Sequence, residues 1–350
     1  MSPSNEPIAR PKAPGYAAPV SEPLEPDEIA RSASWLAQAY DPGQQLVRFV
    51  GMTAEDYRAA AFLDDRMFDR QRDVRVVPWQ TVADTAVGLG NDARWIFHIG
   101  HAGSTMVARM LGEMSALLSV REPRILRDLA GLPAEQASAM APRVAALCSR
   151  TFEGQSFALV KATSFVSEIA PLLVGSDSPA IFMYAGASSY LATILAGENS
   201  VKELHVLHDY RATRMGARVP PMADAARSDA HRAAIAWACE MTSLEAAAEA
   251  LGDRVLWLDF DRFLAGPAAS LIEAASHCGI TLSSTDAETI VTGPLMKRYS
   301  KALEFEYGPE LRRELQAEAR QMHGRDIDAA LAMLNETATK SPLLERALTR

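Results

Sequence analysis

Cysteine is scarce. The chain has three, Cys148, Cys239 and Cys278, far apart and with no C-x-x-C spacing. That pattern excludes a disulfide framework and a zinc ribbon and points to a reducing compartment. Long apolar runs are missing as well. No unbroken stretch approaches the roughly 18 residues that a membrane helix needs, and the opening MSPSNEPIARPK carries Pro and Glu where a signal peptide carries an apolar stretch. The expected location is cytoplasmic. Positive charge is in deficit, 35 Lys and Arg against 44 Asp and Glu for a net −9. Such a surface is not built to coat phosphate backbones or acidic membranes, so nucleic acid is not an expected partner and any anion site has to be local. No G-x-S-x-G elbow is present, which leaves a hydrolase triad built on Ser104 unsupported.

What is present suffices for a large core: 350 residues, of which 48% are hydrophobic and 23% charged. Seven of the 20 prolines fall between Pro3 and Pro26, in a segment almost without large apolar residues. Residues 1–26 therefore read as a disordered Pro-rich tail. DEIARSASWLAQAY, from Asp27, reads as a helix. A second helix starts with Thr53 as N-cap and Asp56 in the place of the usual Glu, running through EDYRAAAFLDDRMF. Residues 27–90 are thus expected to form a helical N-terminal extension.

From Arg94 the pattern changes. WIFHIG, LLSV, SFALVKAT, AIFMYA and RVLWLDF are short apolar runs, and helical segments alternate with them. That alternation predicts an α/β domain over residues 91–350, a doubly wound, mostly parallel sheet with flanking helices. Ligands in such sheets sit outside the carboxyl ends of the strands, which directs attention to the loops after Ile99, Val120, Val160 and Tyr184.

The first of these loops is Gly100-His101-Ala102-Gly103-Ser104-Thr105, between a strand and its helix. Unpaired N–H groups and the positive end of a helix dipole favour a bound anion there, and the two hydroxyls can donate to phosphate oxygens. The loop is not the nucleotide triphosphatase version, which requires a Lys after the last Gly; Gly103 is followed directly by Ser104. It is not a Rossmann fingerprint either, since the third Gly is missing. The bland alternative is a glycine turn leading into a helix.

WIFHIGHAGSTMVARML resembles the 5′-phosphosulfate loop of bacterial sulfotransferase-like proteins, in which a strand runs into a G-x-x-G-[ST]-T turn and a helix. The likeness extends over about residues 91–310 and includes LLSVREPRILRDL, SFALVKATSFVSEIAPLL, MYAGASSYLATIL, VLWLDFDRFLAGP and KRYSKALEFEYG. It implies a P-loop-like, sulfotransferase-type fold. It also implies 3′-phosphoadenosine 5′-phosphosulfate (PAPS) as donor co-substrate, and sulfuryl transfer without a metal to a hydroxyl or amine of an acceptor that the sequence does not name. By the same resemblance, residues 100–105 hold the 5′-phosphate, Glu122 is the carboxylate that takes the acceptor proton, and Lys161 contacts the oxygen bridging phosphate and sulfate. Thr193, with Ser188 nearby, falls where a hydroxyl holds the 3′-phosphate, and the basic cluster Lys297, Arg298 and Lys301 falls where a C-terminal loop does so.

Two departures weaken the anion site. His101 stands where Lys or Arg is common, and Ala185 follows the fourth strand where an Arg is expected. A non-catalytic nucleotide- or partner-binding module on the same fold is therefore the alternative reading, and a nucleotide-dependent kinase the third. Other signals read as structure. His98 with His101 and His205 with His208 make H-x-x-H pairs that lack a third ligand. Met106, Met110 and Met114 have core spacing, and Trp237 is expected against the sheet. Arg211, Arg214 and Arg218 line either an entrance for acidic substrates or a mobile loop.

Overall fold

A computed structural model describes residues 24–68, 71–222, 227–296 and 308–350. Of the expected tail, only Leu24 onward falls within this range, and Lys297, Arg298 and Lys301 lie outside it. The first part of the chain runs α1 (Pro26–Arg31), β1 (Trp35–Asp41), β2 (Leu46–Gly51), α2 (Ala54–Ala59), β3 (Val74–Pro78) and α3 (Trp79–Ala86). Then come β4 (Arg94–His98), α4 (Ser104–Leu111), β5 (Leu117–Arg121), α5 (Arg124–Ala130), α6 (Ala134–Cys148), β6 (Phe157–Lys161), α7 (Ala170–Leu173), β7 (Ala180–Tyr184) and α8 (Ala187–Leu195). The remainder is α9 (Glu198–Met215), α10 (Asp229–Leu251), β8 (Val255–Asp259), α11 (Phe260–Ala265), α12 (Pro267–His277), α13 (Ser284–Thr292), α14 (Pro309–Ala338) and α15 (Pro342–Thr349).

All five apolar runs named from the sequence are strands of one parallel sheet, in the order β5-β6-β4-β7-β8. Every residue of β5 and β7 is buried, as expected of parallel strands covered on both faces by other elements. Aromatic rings fill the layer around the centre of the sheet: Trp95 stacks on Phe97, and Phe182 meets both Phe97 and Trp257 edge-on. Trp237 is buried on α10, as expected, and donates its indole N–H to the Ala185 carbonyl at 2.9 Å. The sheet is entered at β4; β5 and β6 lie on one side of it and β7 and β8 on the other. The chain thus reverses direction across the carboxyl end of β4, where a crevice opens.

The N-terminal extension is not helical throughout. It holds an antiparallel sheet, β1-β2-β3, besides its helices. DEIARSASWLAQAY forms helix only as far as Arg31; from Trp35 it is strand, because pairing with β2 satisfies its backbone and buries Leu36 through Tyr40. Thr53 does cap α2, accepting from the Asp56 N–H while the Asp56 carboxylate answers the Thr53 N–H. The helix stops at Ala59, and Asp65–Met67 forms a separate 3-10 turn. Two buried arginines tie the extension down. Arg121 donates to the Ala60 carbonyl (3.0 Å) at the end of α2, and Arg150 donates to the Trp35 carbonyl (2.7 Å). One continuous apolar core runs from Leu24 to Ala347, so extension and parallel sheet share it.

Candidate functional site

The crevice at the end of β4 is a cavity of about 650 Å³. Its floor is the loop between β4 and α4. Gly100 (φ 78°), His101 (50°) and Gly103 (65°) all take the left-handed conformation, which turns the chain tightly into the helix. Gly103 is enforced twice: a Cβ there would lie 2.0 Å from Cε2 of Phe260 on α11. As the N-cap residue it supplies no capping side chain, so the first N–H groups of α4 are left for another acceptor. Gly100 N–H is already committed, donating to His98 Nδ1 at 2.9 Å; the His98 ring therefore carries its proton on Nε2 and donates to the Ala162 carbonyl at 2.9 Å. That fixes the loop's first corner. Among the described residues no cluster of His, Cys, Asp and Glu side chains is arranged to hold a metal ion.

On the β5–β6 side of the crevice, Glu122 and Lys161 meet in an ion pair. The pairing follows from the sheet. Arg121 and Lys161 are in register on adjacent parallel strands, and the Glu122 N–H extends the ladder by donating to the Lys161 carbonyl at 2.7 Å. Lys161 is 1% exposed and Glu122 8%, yet both line the cavity. Glu122 has φ of 53° although Pro123 follows it, a combination that extended backbone would avoid. Among the described residues only Gln45, His101 and Glu122 are non-glycines with positive φ. Two of these three, His101 and Glu122, line the cavity. The other Glu122 oxygen is reached by Arg66 (3.7 Å) and by the Thr163 hydroxyl (3.5 Å), not by Arg121 or Arg124. Arg66 is itself held by Asp64 in a fork of two hydrogen bonds (2.8 and 2.7 Å) and lies 3.4 Å over the Phe62 ring.

The third wall comes from α8 and α14. Thr193 lines the cavity, but its hydroxyl donates to the Ser189 carbonyl (2.8 Å) and accepts from Gln316 (2.8 Å). The Ser189 hydroxyl accepts from Gln316 (2.9 Å) and from Arg312 (3.2 Å), a buried guanidinium that also pairs with Asp261 at 2.6 Å. Arg312 thus places a cation beside Ser189, on the helix that follows Ala185. Ser188 neither lines the cavity nor caps α8. Ala102 is fully buried beneath the loop.

The structure therefore brings together Gly100, His101, Gly103, Ser104, Thr105, Glu122, Lys161 and Thr193. It adds what sequence reasoning missed: Arg66 and Asp64 from the extension, Arg127 from α5, and Arg312 from α14. Arg211 and Arg214 were singled out as helix or loop residues; they sit on α9 and face the cavity. Six cationic and four acidic side chains line it among the described residues, a local positive excess in a chain of net −9. No protein-family model matches the chain, and no curated protein matches it.

Proposed function

We propose that the cavity transfers a sulfuryl group from PAPS to a hydroxyl or amine of an acceptor. The observation that carries this reading is the meeting of Glu122 and Lys161 beside the uncapped start of α4. An acid–base group, a cation for the leaving group and a set of anion-binding amides are the parts that such a displacement requires.

The donor's 5′-phosphate would accept from the first N–H groups of α4 and from the Ser104 and Thr105 hydroxyls. The acceptor's oxygen or nitrogen forms a bond to sulfur as the bond from sulfur to the bridging oxygen breaks, and the electron pair leaves with the phosphate. Lys161 meets the charge that develops on that oxygen. Glu122 takes the acceptor proton. Before the donor arrives the two side chains neutralise each other, which allows both to stay buried; an incoming oxyanion competes for Lys161 and leaves the Glu122 carboxylate free to act as base. Arg312, beside the Ser189 hydroxyl, fits the 3′-phosphate better than Thr193, whose proton is already spent.

Transfer of labelled sulfate from PAPS to a panel of alcohols, phenols and amines tests the reading. Turnover that falls at least about 100-fold in Glu122→Gln and Lys161→Ala supports it; equal turnover in the variants overturns it. A non-catalytic binding module is the second reading, favoured by the completeness of the Glu122–Lys161 pair and by the absence of a cationic side chain from the loop. It predicts nucleotide binding without transfer. Binding of ATP with magnesium in preference to PAPS would turn the assignment to a kinase.

A further inference from the structure

The wall formed by α9 and α10 carries polar groups that the transfer chemistry does not use. Arg211 on α9 is 7% exposed and Glu240 on α10 is 2% exposed, and both line the cavity. Each has one buried atom with no hydrogen-bond partner: Nη1 of Arg211, a donor, and Oε2 of Glu240, an acceptor. Orphaned buried polar atoms are rare because each forgoes its hydration without compensation. Two of opposite character on one cavity wall are complementary to a ligand that both accepts and donates. Arg211 and Glu240 also lie within electrostatic reach of each other and of the Tyr190 hydroxyl.

The charge around them is balanced. Arg211 pairs with Glu203 (2.7 Å), Arg214 with Glu240 (2.9 Å) and Glu168 (3.0 Å), and Arg218 with Glu168 (3.1 Å). Three guanidinium groups thus face three carboxylates. A ligand bearing a net charge gains attraction from one set only by meeting repulsion from the other. An uncharged hydroxyl meets neither penalty, since its oxygen accepts from an arginine and its proton goes to a carboxylate. Beside this network, the rings of Phe165 and Tyr210 meet edge-on and present apolar surface to the same cavity. Flat carbon faces with hydroxyls at their edges match that combination.

We propose that the α9–α10 wall recognises an uncharged polyhydroxylated ligand of the cyclic sugar or cyclitol class, with hydroxyls bridging Arg211 Nη1 and Glu240 Oε2. The inference rests on the transferase reading only in making that ligand the acceptor; its binding does not depend on the donor.

Calorimetric and ligand-observed NMR titration of the full chain tests it, with and without adenosine 3′,5′-bisphosphate. The probes are the methyl glycosides of glucose, galactose and mannose, myo-inositol, and the charged analogues glucuronate and glucosamine. At least one uncharged probe is expected to bind saturably and at least about tenfold more tightly than both charged analogues. Arg211→Lys keeps the charge facing Glu203 and removes the fork that carries Nη1, and Glu240→Gln converts an acceptor into a donor. Each should weaken that probe at least about tenfold, the loss of one charge-assisted hydrogen bond, with bisphosphate affinity held within about twofold. Preference for a charged analogue, failure of every uncharged probe to bind, or insensitivity of binding to both variants overturns the proposal. The last result would mean that a water merely bridges the two orphans. Loss of bisphosphate binding with sugar binding retained would instead sink the donor assignment and leave this site standing.

Discussion

Glu122 and Lys161 form a buried ion pair across the ends of neighbouring parallel strands, on the wall of a cavity that the start of α4 also lines. The sheet places the two residues; their burial makes each dependent on the other. Removing one partner leaves an uncompensated charge in a dry environment, and removing both together does not.

Lys161→Met is therefore expected to destabilise the fold by about 3–5 kcal/mol. The double variant Lys161→Met with Glu122→Gln should recover most of that loss. Urea denaturation of the single and double variants measures the coupling. Additive losses would show that the pair is not coupled and that the proposed exchange of partners during catalysis has no basis.

The loop glycines separate strain from crowding. Gly100 and Gly103 share the left-handed conformation, but a Cβ at Gly100 meets nothing within 4 Å while one at Gly103 collides with Phe260. Gly100→Ala should cost only the conformational term, about 1–2 kcal/mol. Gly103→Ala should cost clearly more, and it should displace α11 against the loop. Thermal melting of both variants decides this, and equal losses would contradict the close approach of Phe260.

Acid stability has an identifiable contributor in Asp64. Burial pushes its carboxyl up, but hydrogen bonds from Arg66 and the charges of Arg66 and Arg127 outweigh that and hold it below the ordinary carboxylate value. A carboxyl lowered by folding contributes stability above its unfolded pKa and loses it as pH falls through the folded value. Asp64→Asn should thus be less stable than the parent at pH 7, with the difference shrinking below about pH 4. Urea midpoints at both ends of that range test the sign; a difference that grows on acidification would refute it.

The three thiols should be inert in the native protein. Burial is the main influence on each, pushing Cys148, Cys239 and Cys278 up to about 12, which leaves almost no thiolate at neutral pH. Reaction with an aromatic disulfide reagent at pH 8 should be slow before denaturation and fast for all three cysteines after it. Rapid native modification of any one would contradict its burial.

The parallel sheet was legible because most of its strands are buried and read as unbroken apolar runs ended by turns. WLAQAY was not legible as a strand. Its alanines and leucine suit a helix, it follows a true helix at Pro26–Arg31, and only the partner strand β2, beyond the local pattern, converts it. In the site, the loop and the two residues Glu122 and Lys161 were visible through local motif and resemblance. Arg312 and Gln316 were not. They reach Ser189 from a helix more than 120 positions further along the chain, and nothing local in PELRRELQ marks those two side chains as facing a cavity. Arg66 was hidden for the same reason: a salt bridge from the extension to Glu122 is a product of tertiary packing.

The central claim is that main-chain N–H groups at the start of α4, assisted by Lys161, hold a phosphate without a cationic side chain in the loop itself. Isothermal titration of the parent chain and of Gly103→Ala with adenosine 3′,5′-bisphosphate tests it most directly. The account predicts saturable single-site binding by the parent, weakened at least about tenfold by the substitution, because a Cβ that collides with Phe260 moves the loop amides out of line with the phosphate, at the cost of about one charge-assisted hydrogen bond. Absence of binding by the parent, or equal affinity in the two proteins, would contradict it.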